Sequence, residues 1–238
     1  ALYFHMKLPA FGYTTYFAKY SQRAPNTAVP ATDFAISNDL FNLTFRGGML
    51  SHMTNVNGGK MIANPFTTPF VLPSLFRTHN QFFAYQSYSG PGQDSGAYIF
   101  LPTGPAKELP LPKTQVIRGK HVQTVVQVHN DRAQETYRLY PGANHIELHH
   151  SVGPLPTDTE LVTRFTTNIT NNAYDLWTDN NGFDSLHRTF RNETQTIPAN
   201  YFPSIYGSHI SDGRRALAYV HDRAQGVASL ESGQIEAM

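Results

Sequence analysis

The sequence predicts an all-β fold, a large antiparallel sandwich, on three observations. Short runs rich in β-branched and aromatic residues recur along the chain, separated by turns of Gly, Pro, Asn and Asp. No window carries an apolar stripe at helical spacing for more than about two turns. At 238 residues the chain is long enough to bury a real core, as one large all-β domain or two smaller ones.

Taken in order, Leu8-Pro-Ala-Phe-Gly12 reads as a turn and Tyr13-Thr-Thr-Tyr-Phe17 as a strand. Ser21 to Pro30, with Pro25, Asn26 and Pro30, has linker composition and marks a boundary. Two strands follow, Phe34-Ala-Ile-Ser37 and Leu40-Phe-Asn-Leu-Thr-Phe45, with Asn38-Asp39 as the turn between them. Gly47-Gly48 leads into Met49 to Asn55, and Asn57-Gly-Gly59 closes that piece. After a Pro-rich passage at 64–73, the strand Gln81-Phe-Phe-Ala-Tyr85 leads through Gly90-Pro-Gly92 to Asp94-Ser-Gly-Ala-Tyr-Ile-Phe-Leu-Pro102. Ala97 to Leu101 is an unbroken apolar and aromatic run stopped by Pro102, which predicts a central strand covered on both faces. Tyr98 stands out there, because a buried phenol needs a hydrogen-bond partner in the protein or in a ligand.

Pro105 to Pro112 reads as a loop, and Gln115–Ile117, Val122–Val128 and Glu135–Tyr140 as strands with polar turns between them. Pro141-Gly142 turns the chain into Ile146–Val152, which Gly153-Pro-Leu-Pro156 ends. Leu161–Thr167 is a further strand, Trp177-Thr-Asp-Asn-Asn-Gly182 an expected loop, and Ala216–Val220 and Gln234–Met238 the final strands. The last strand has no terminating turn, and Ala1–Met6 has no initiator Met, basic flank or signal-like apolar segment. The sandwich is therefore expected to be incomplete at both ends.

With 18 basic residues against 17 acidic ones, scattered rather than striped, nucleic acid is not an expected partner. No apolar run approaches the roughly 20 residues of a spanning helix, so no membrane contact is expected from this segment. The chain has no cysteine, which excludes disulfides and thiolate metal sites. Three N-x-[ST] sequons, at Asn42, Asn168 and Asn192, are candidate glycan acceptors for a chain that enters the secretory pathway.

Local chemistry is sparse. In His145-Ile-Glu-Leu-His149, strand geometry places His145, Glu147 and His149 on one face, either a metal face or, more simply, a solvated outer face opposite Ile146 and Leu148. Asp179-Asn-Asn-Gly182 offers oxygen ligands near a glycine but lacks the spacing and closing Glu of a calcium loop, so it reads as a turn. Asp179, Asp184, Asp212 and Asp222 invite comparison with the paired carboxylates of a glycosidase, yet all sit beside turn residues, where Asp is ordinary. There is no G-x-S-x-G, P-loop, G-x-G-x-x-G or H-E-x-x-H.

Three segments carry a resemblance: Ser95-Gly-Ala-Tyr-Ile-Phe-Leu-Pro102; Trp177-Thr-Asp-Asn-Asn-Gly-Phe183 with Ala199-Asn-Tyr-Phe-Pro203; and Asp222-Arg-Ala-Gln-Gly-Val-Ala-Ser-Leu230 with Ser232-Gly-Gln-Ile-Glu236. In this order and spacing they resemble the C-terminal β-region of class II α-mannosidases, glycoside hydrolase family 38. Leu8-Pro9 with Gly12-Tyr-Thr-Thr15, Ile36-Ser-Asn-Asp39 and Val152-Gly-Pro-Leu-Pro156 are similar to the same family, so the resemblance spans nearly the whole chain. Asp222-Arg223 and Gln225-Gly226 are closer to the lysosomal branch, Phe100 to Pro105 to the Golgi branch, and Trp177 departs from the family's usual Tyr or Phe.

The resemblance implies a retaining α-mannosidase of N-glycan processing or turnover, located in the secretory pathway lumen, in the Golgi or lysosome, or secreted. It implies a galactose mutarotase-like supersandwich from residue 31 to 238, preceded at 1–24 by part of a small β-sandwich domain. Zn2+, held by two His and two Asp, and the catalytic carboxyl groups would belong to an N-terminal catalytic domain and not to this chain. That domain and a helical bundle would be its partners, with a mannose-containing glycan as substrate, and the chain alone would be inactive. Tyr98 matches the tyrosine of the family's S-G-A-Y segment and would reach over to hydrogen-bond the sugar. An alternative is a free-standing carbohydrate-binding sandwich, with Tyr85, Tyr88 or Trp177 as a sugar-stacking platform.

Overall fold

The computed structural model describes residues 3–19, 27–56, 76–96, 98–193 and 196–238. Residues 21–26 of the Ser21–Pro30 linker, the Asn57–Gly59 turn and the Pro-rich passage 64–73 lie outside the described residues, and Val29–Pro30 of that linker form a short strand instead. The regular structure of the described residues is nearly all strand, as expected, and every strand pair among them is antiparallel.

Strands β1 (Val29–Pro30), β2 (Phe34–Ser37), β3 (Phe41–Arg46) and β4 (Met49–Asn55) open the fold. Asn38 makes the β2–β3 turn, its Oδ1 accepting from the Leu40 and Phe41 amides at 2.9 and 2.7 Å, a local bond that Asn offers better than most residues. Gly48 after β3 adopts φ +82°, and a Cβ there would stand 2.8 Å from Thr114 Oγ1, so both dihedral and space require glycine. The long β5 (Phe76–Gln86) follows, then β6 (Lys107–Glu108), β7 (Lys113–Arg118), β8 (Gln123–Val128), β9 (Ala133–Leu139), β10 (Glu147–Val152) and β11 (Thr159–Thr167). The last third holds β12 (Leu176–Asn180), β13 (Asp184–Arg188), a one-turn helix α1 (Thr196–Ala199), β14 (Phe202–Ser204), β15 (Gly207–Ser211), β16 (Ala216–Val220), β17 (Gln225–Ala228) and β18 (Gln234–Ala237).

These strands make three sheets. One has the order β1-β7-β8-β9-β10. The largest runs β14-β17-β18-β11-β5-β4-β3-β2, with β6 added against β5. The third is β13-β12-β15-β16. Alternation puts Ile36, Leu43, Phe45 and Leu50 of the large sheet against Val116, Val125, Tyr137 and Leu139 of the five-stranded sheet, forming one core. A second core holds Leu176 and Ile210 of the four-stranded sheet against Phe202, Val227, Ile235 and Ala237. The central pair β5–β11 stays in register from Thr159↔Gln86 to Thr167↔Thr78, and Phe165 of β11 packs against the second core.

Three local expectations are corrected. Residues 13–17 form no strand: Tyr13 and Phe17 are exposed and pair with no strand among the described residues, and strand-type composition alone does not satisfy backbone hydrogen bonds. Trp177 to Asn180 is not loop but β12, because Leu176 and Thr178 are buried and both neighbouring strands pair with it; only Asn181 and Gly182 turn. Asp94–Pro102 is not a buried central strand but a surface turn.

Candidate functional site

The turn after β5 is closed by its own backbone. Tyr88 N donates to Leu101 O, Ser95 N to Tyr88 O, and Gly96 and Ile99 exchange hydrogen bonds at 2.9 and 3.2 Å. The Ser95 hydroxyl donates to Ile99 O and accepts from the Leu101 amide, and Asp94 Oδ1 accepts from Gly90 N. Backbone groups that would pair with flanking strands in a central strand are satisfied here by this local set, which is why an apolar run ends up on the surface. Tyr98 stands at the apex, fully exposed, and needs no internal partner for its hydroxyl.

Two residues on, Phe100 points the other way. Its ring makes edge contacts with Tyr85 (5.2 Å between centroids, 78°) and Tyr201 (5.0 Å, 68°). Both phenols donate to Oε1 of Glu236, Tyr85 at 2.7 Å, while Arg164 Nε holds Oε2. Glu236 has no solvent exposure, and Arg164 is its direct cross-strand partner, with its guanidinium 4.0 Å over the Phe83 ring. Burial, reinforced by the Glu236 charge, pushes both the Tyr85 and Tyr201 phenols well up, so they remain donors at any physiological pH.

A second buried carboxylate, Glu135 in β9, lies between the five-stranded and large sheets. His129 Nε2 is 3.5 Å from Oε2 and His150 Nε2 3.3 Å from Oε1, at ion-pair separations without hydrogen-bond alignment. Asn80 Nδ2 donates to Oε1 at 2.9 Å and to the Tyr137 hydroxyl at 2.8 Å, and Thr163 donates to Asn80 Oδ1. Burial alone raises a carboxyl, but the two imidazoles outweigh it and hold Glu135 down at about 2. No sequence pattern joins these residues, since they come from β5, β9, β10, β11 and the end of β8.

The expected chemical patterns resolve into structure. His145 and His149 are exposed and Glu147 pairs with Arg138 at 2.5 Å, an outer sheet face. Among the described residues no group of three His, Cys, Asp or Glu side chains could hold a metal ion. Asp179 is a turn organiser: Oδ1 accepts from the amides of Ile205, Tyr206 and Gly207, and Oδ2 from Gly182 N. These donors hold its carboxyl far below the usual range despite the opposing cost of burial. Asp184 caps its own neighbour, Asp212 pairs with Arg215 at 2.8 Å and Asp222 with Arg223 at 2.9 Å, so the four Asp are separately engaged. The three aromatics considered for a sugar platform are also apart. Tyr85 is in the core, Tyr88 is half-buried with its hydroxyl on Pro91 O, and both faces of Trp177 are taken by His187 (4.7 Å) and His209 (5.9 Å). Of the sequon residues, Asn168 and Asn192 are exposed and Asn42 is half-buried in β3.

The fold and these clusters define an all-β sandwich domain with structural buried charges and one aromatic turn presented outward. Residues 36–238 match the model of the glycosyl hydrolases family 38 C-terminal domain, and the chain belongs to that family. It is 32% identical to the human lysosomal alpha-mannosidase across the whole chain, which corresponds to 25% of that protein. Against an Arabidopsis thaliana alpha-mannosidase it is 35% identical over 68% of this chain and 18% of the relative. The lysosomal alpha-mannosidase of Bos taurus is 28% identical over the whole chain and 24% of its own length. The chain thus spans about a quarter or less of these relatives.

Proposed function

We propose that this chain is the C-terminal β-region of a class II α-mannosidase, a retaining enzyme that hydrolyses α-linked mannose of N-glycans, and that it supplies the β-scaffold and one wall of the active site. The family match over residues 36–238 carries this reading. The zinc, its two His and two Asp ligands, the Asp nucleophile and the carboxylic general acid then belong to an N-terminal catalytic domain joined through a helical bundle. A retaining mechanism needs the two carboxyl groups close together across the scissile bond, and zinc supplies Lewis-acid binding of the sugar. The chain alone is inactive in this reading. Residues 1–24 are part of a small β-sandwich domain, and 31–238 the first part of the supersandwich.

Tyr98 is assigned the sugar contact. Full exposure at the apex of a braced turn supports this, since a phenol that serves a neighbouring domain must leave its own core. The location that goes with this reading is the secretory lumen, with Asn42, Asn168 and Asn192 as glycan candidates. The lysosomal names of relatives support that compartment, and no helix among the described residues is long and apolar enough to cross a membrane.

The test is an aryl α-mannoside assay on the complete enzyme. Tyr98→Phe is expected to lower kcat/KM about tenfold, the worth of one hydrogen bond in the transition state, and unchanged turnover removes that contact. Chelation should abolish activity and zinc restore it; indifference to chelator overturns the metal assignment. Absence of mannoside turnover by active-site-intact enzyme overturns the reading as a whole.

A further inference from the structure

We propose that the buried carboxylate of Glu236 is a positioning residue for the turn that carries Tyr98, acting through Tyr85, Tyr201 and Phe100. The proposal rests on the reading that Tyr98 contacts the sugar, and adds what sets the place of that contact.

A carboxylate without solvent exposure is a costly way to fill a core, and an apolar residue of similar size would serve stability as well or better. What Glu236 does that an apolar residue cannot is fix two rings at once. Its Oε1 takes hydrogen bonds from Tyr85 on β5 and from Tyr201 just before β14, while Arg164 on β11 occupies Oε2 and balances the charge. Each ring is thereby tied at its far end as well as at its Cβ. The two rings are the surfaces against which Phe100 rests, 5.2 and 5.0 Å away. In the turn, Phe100 faces inward and Tyr98 outward, with Ile99 hydrogen-bonded back to Gly96 between them, so a shift of the Phe100 ring is passed to Tyr98 through a short closed loop. The remaining charged side chain of the turn, Asp94, bonds back to Gly90 and does not reach this socket. Placement at this scale matters, because a misplacement of about 1 Å at a reacting centre can cost about a hundredfold in rate.

The experiment uses the complete enzyme with Tyr201→Phe, Glu236→Gln and each combined with Tyr98→Phe. Amide exchange is followed at Ser95, Gly96, Ile99 and Leu101, alongside kcat and KM on an aryl α-mannoside. Tyr201→Phe keeps the ring and removes one tie while Tyr85 and Arg164 still hold the carboxylate, so the fold should persist with a lowered melting temperature, exchange in the turn should rise about tenfold, and kcat/KM should fall by a similar factor. In the Tyr98→Phe background the same substitution should have almost no further kinetic effect, which a merely structural loss would not reproduce. Should Glu236→Gln fail to fold, Tyr201→Phe carries the test alone. Unchanged exchange in the turn, or kinetic effects that add in the double variant, overturns the proposal. Faster exchange with turnover unaffected by both Tyr201→Phe and Tyr98→Phe keeps Glu236 as the anchor of the turn and removes instead the sugar contact of Tyr98.

Discussion

Glu135 of β9 and His150 of β10 are direct cross-strand partners, with His150 Nε2 3.3 Å from a carboxylate that has no solvent exposure. A second imidazole, His129, approaches the other oxygen, and its Nδ1 lies 3.2 Å from the Pro110 carbonyl. Both nitrogens of His129 therefore face oxygen acceptors, Nδ1 the backbone carbonyl and Nε2 the carboxylate. Phe82 packs against the two imidazoles at 5.2 and 5.1 Å, closing the cluster off on the β5 side.

This arrangement predicts an acid dependence. Glu135 is held at about 2 against an ordinary 4.5, a depressed value, so its contribution is fully present above pH 4.5 and is lost as pH falls toward 2. Thermal unfolding followed between pH 6 and pH 2 should show Glu135→Gln less stable than the parent at pH 6 by about 1–3 kcal/mol, with the gap narrowing below pH 4.5. A gap that is constant with pH would mean that the carboxylate is not ionised in the fold.

Asp179 predicts a turn without a keeper. Its Oδ1 meets the Ile205, Tyr206 and Gly207 amides at 2.7, 2.9 and 3.1 Å, and Asp179→Ala leaves all three to water or to nothing. A loss of about 2 kcal/mol is expected in denaturant unfolding, and Asp179→Asn, which keeps one acceptor oxygen, should lose roughly half of that.

Gly233, at φ +79°, predicts a severe single-methyl effect. A Cβ there would lie 2.5 Å from Thr167 O and 2.7 Å from Ile169 O, both backbone atoms that cannot swing aside. Gly233→Ala should destabilise by about 3 kcal/mol or more, through clash and left-handed strain together, measured as a fall in melting temperature. Gly213→Ala, with a similar φ of +78° and open space around it, should cost clearly less and isolates the clash.

The sequons predict unequal occupancy in a secretory host. Asn168 and Asn192 are exposed, whereas Asn42 pairs within β3 opposite Thr54 and its Oδ1 is buried. Mass spectrometry after endoglycosidase treatment should find the glycan scar at the two exposed sites and an unmodified Asn42.

Much of the strand plan was legible because it rests on local alternation. The run at Lys113–Arg118 buries Thr114 and Val116 at every second position, and Asn38 and Gly48 announce their turns by local bonding and by φ. The β12–β13 hairpin and β15 were not legible. Trp177-Thr-Asp-Asn180 is polar enough to pass for loop and Gly207-Ser-His-Ile-Ser211 offers a single large apolar residue, and both become strands by pairing with each other. The two buried carboxylates left no trace at all, since Glu135 and Glu236 stand in strands where polar residues are ordinarily exposed.

The sequence by itself determined the all-β class, the place of many strands along the chain and the family, since these depend on residue type at short spacing and on an ordered set of segments. It also marked Tyr98 as the residue to watch, but with the wrong environment. Only the tertiary structure decided that Tyr98 faces solvent while Phe100 faces the core, and that Tyr85 and Glu236, 151 residues apart, share a hydrogen bond beneath it. The reason is physical: a strand's periodicity tells which residues share a face, but which face is covered, and by what charge, is set by partners that only the folded chain brings near.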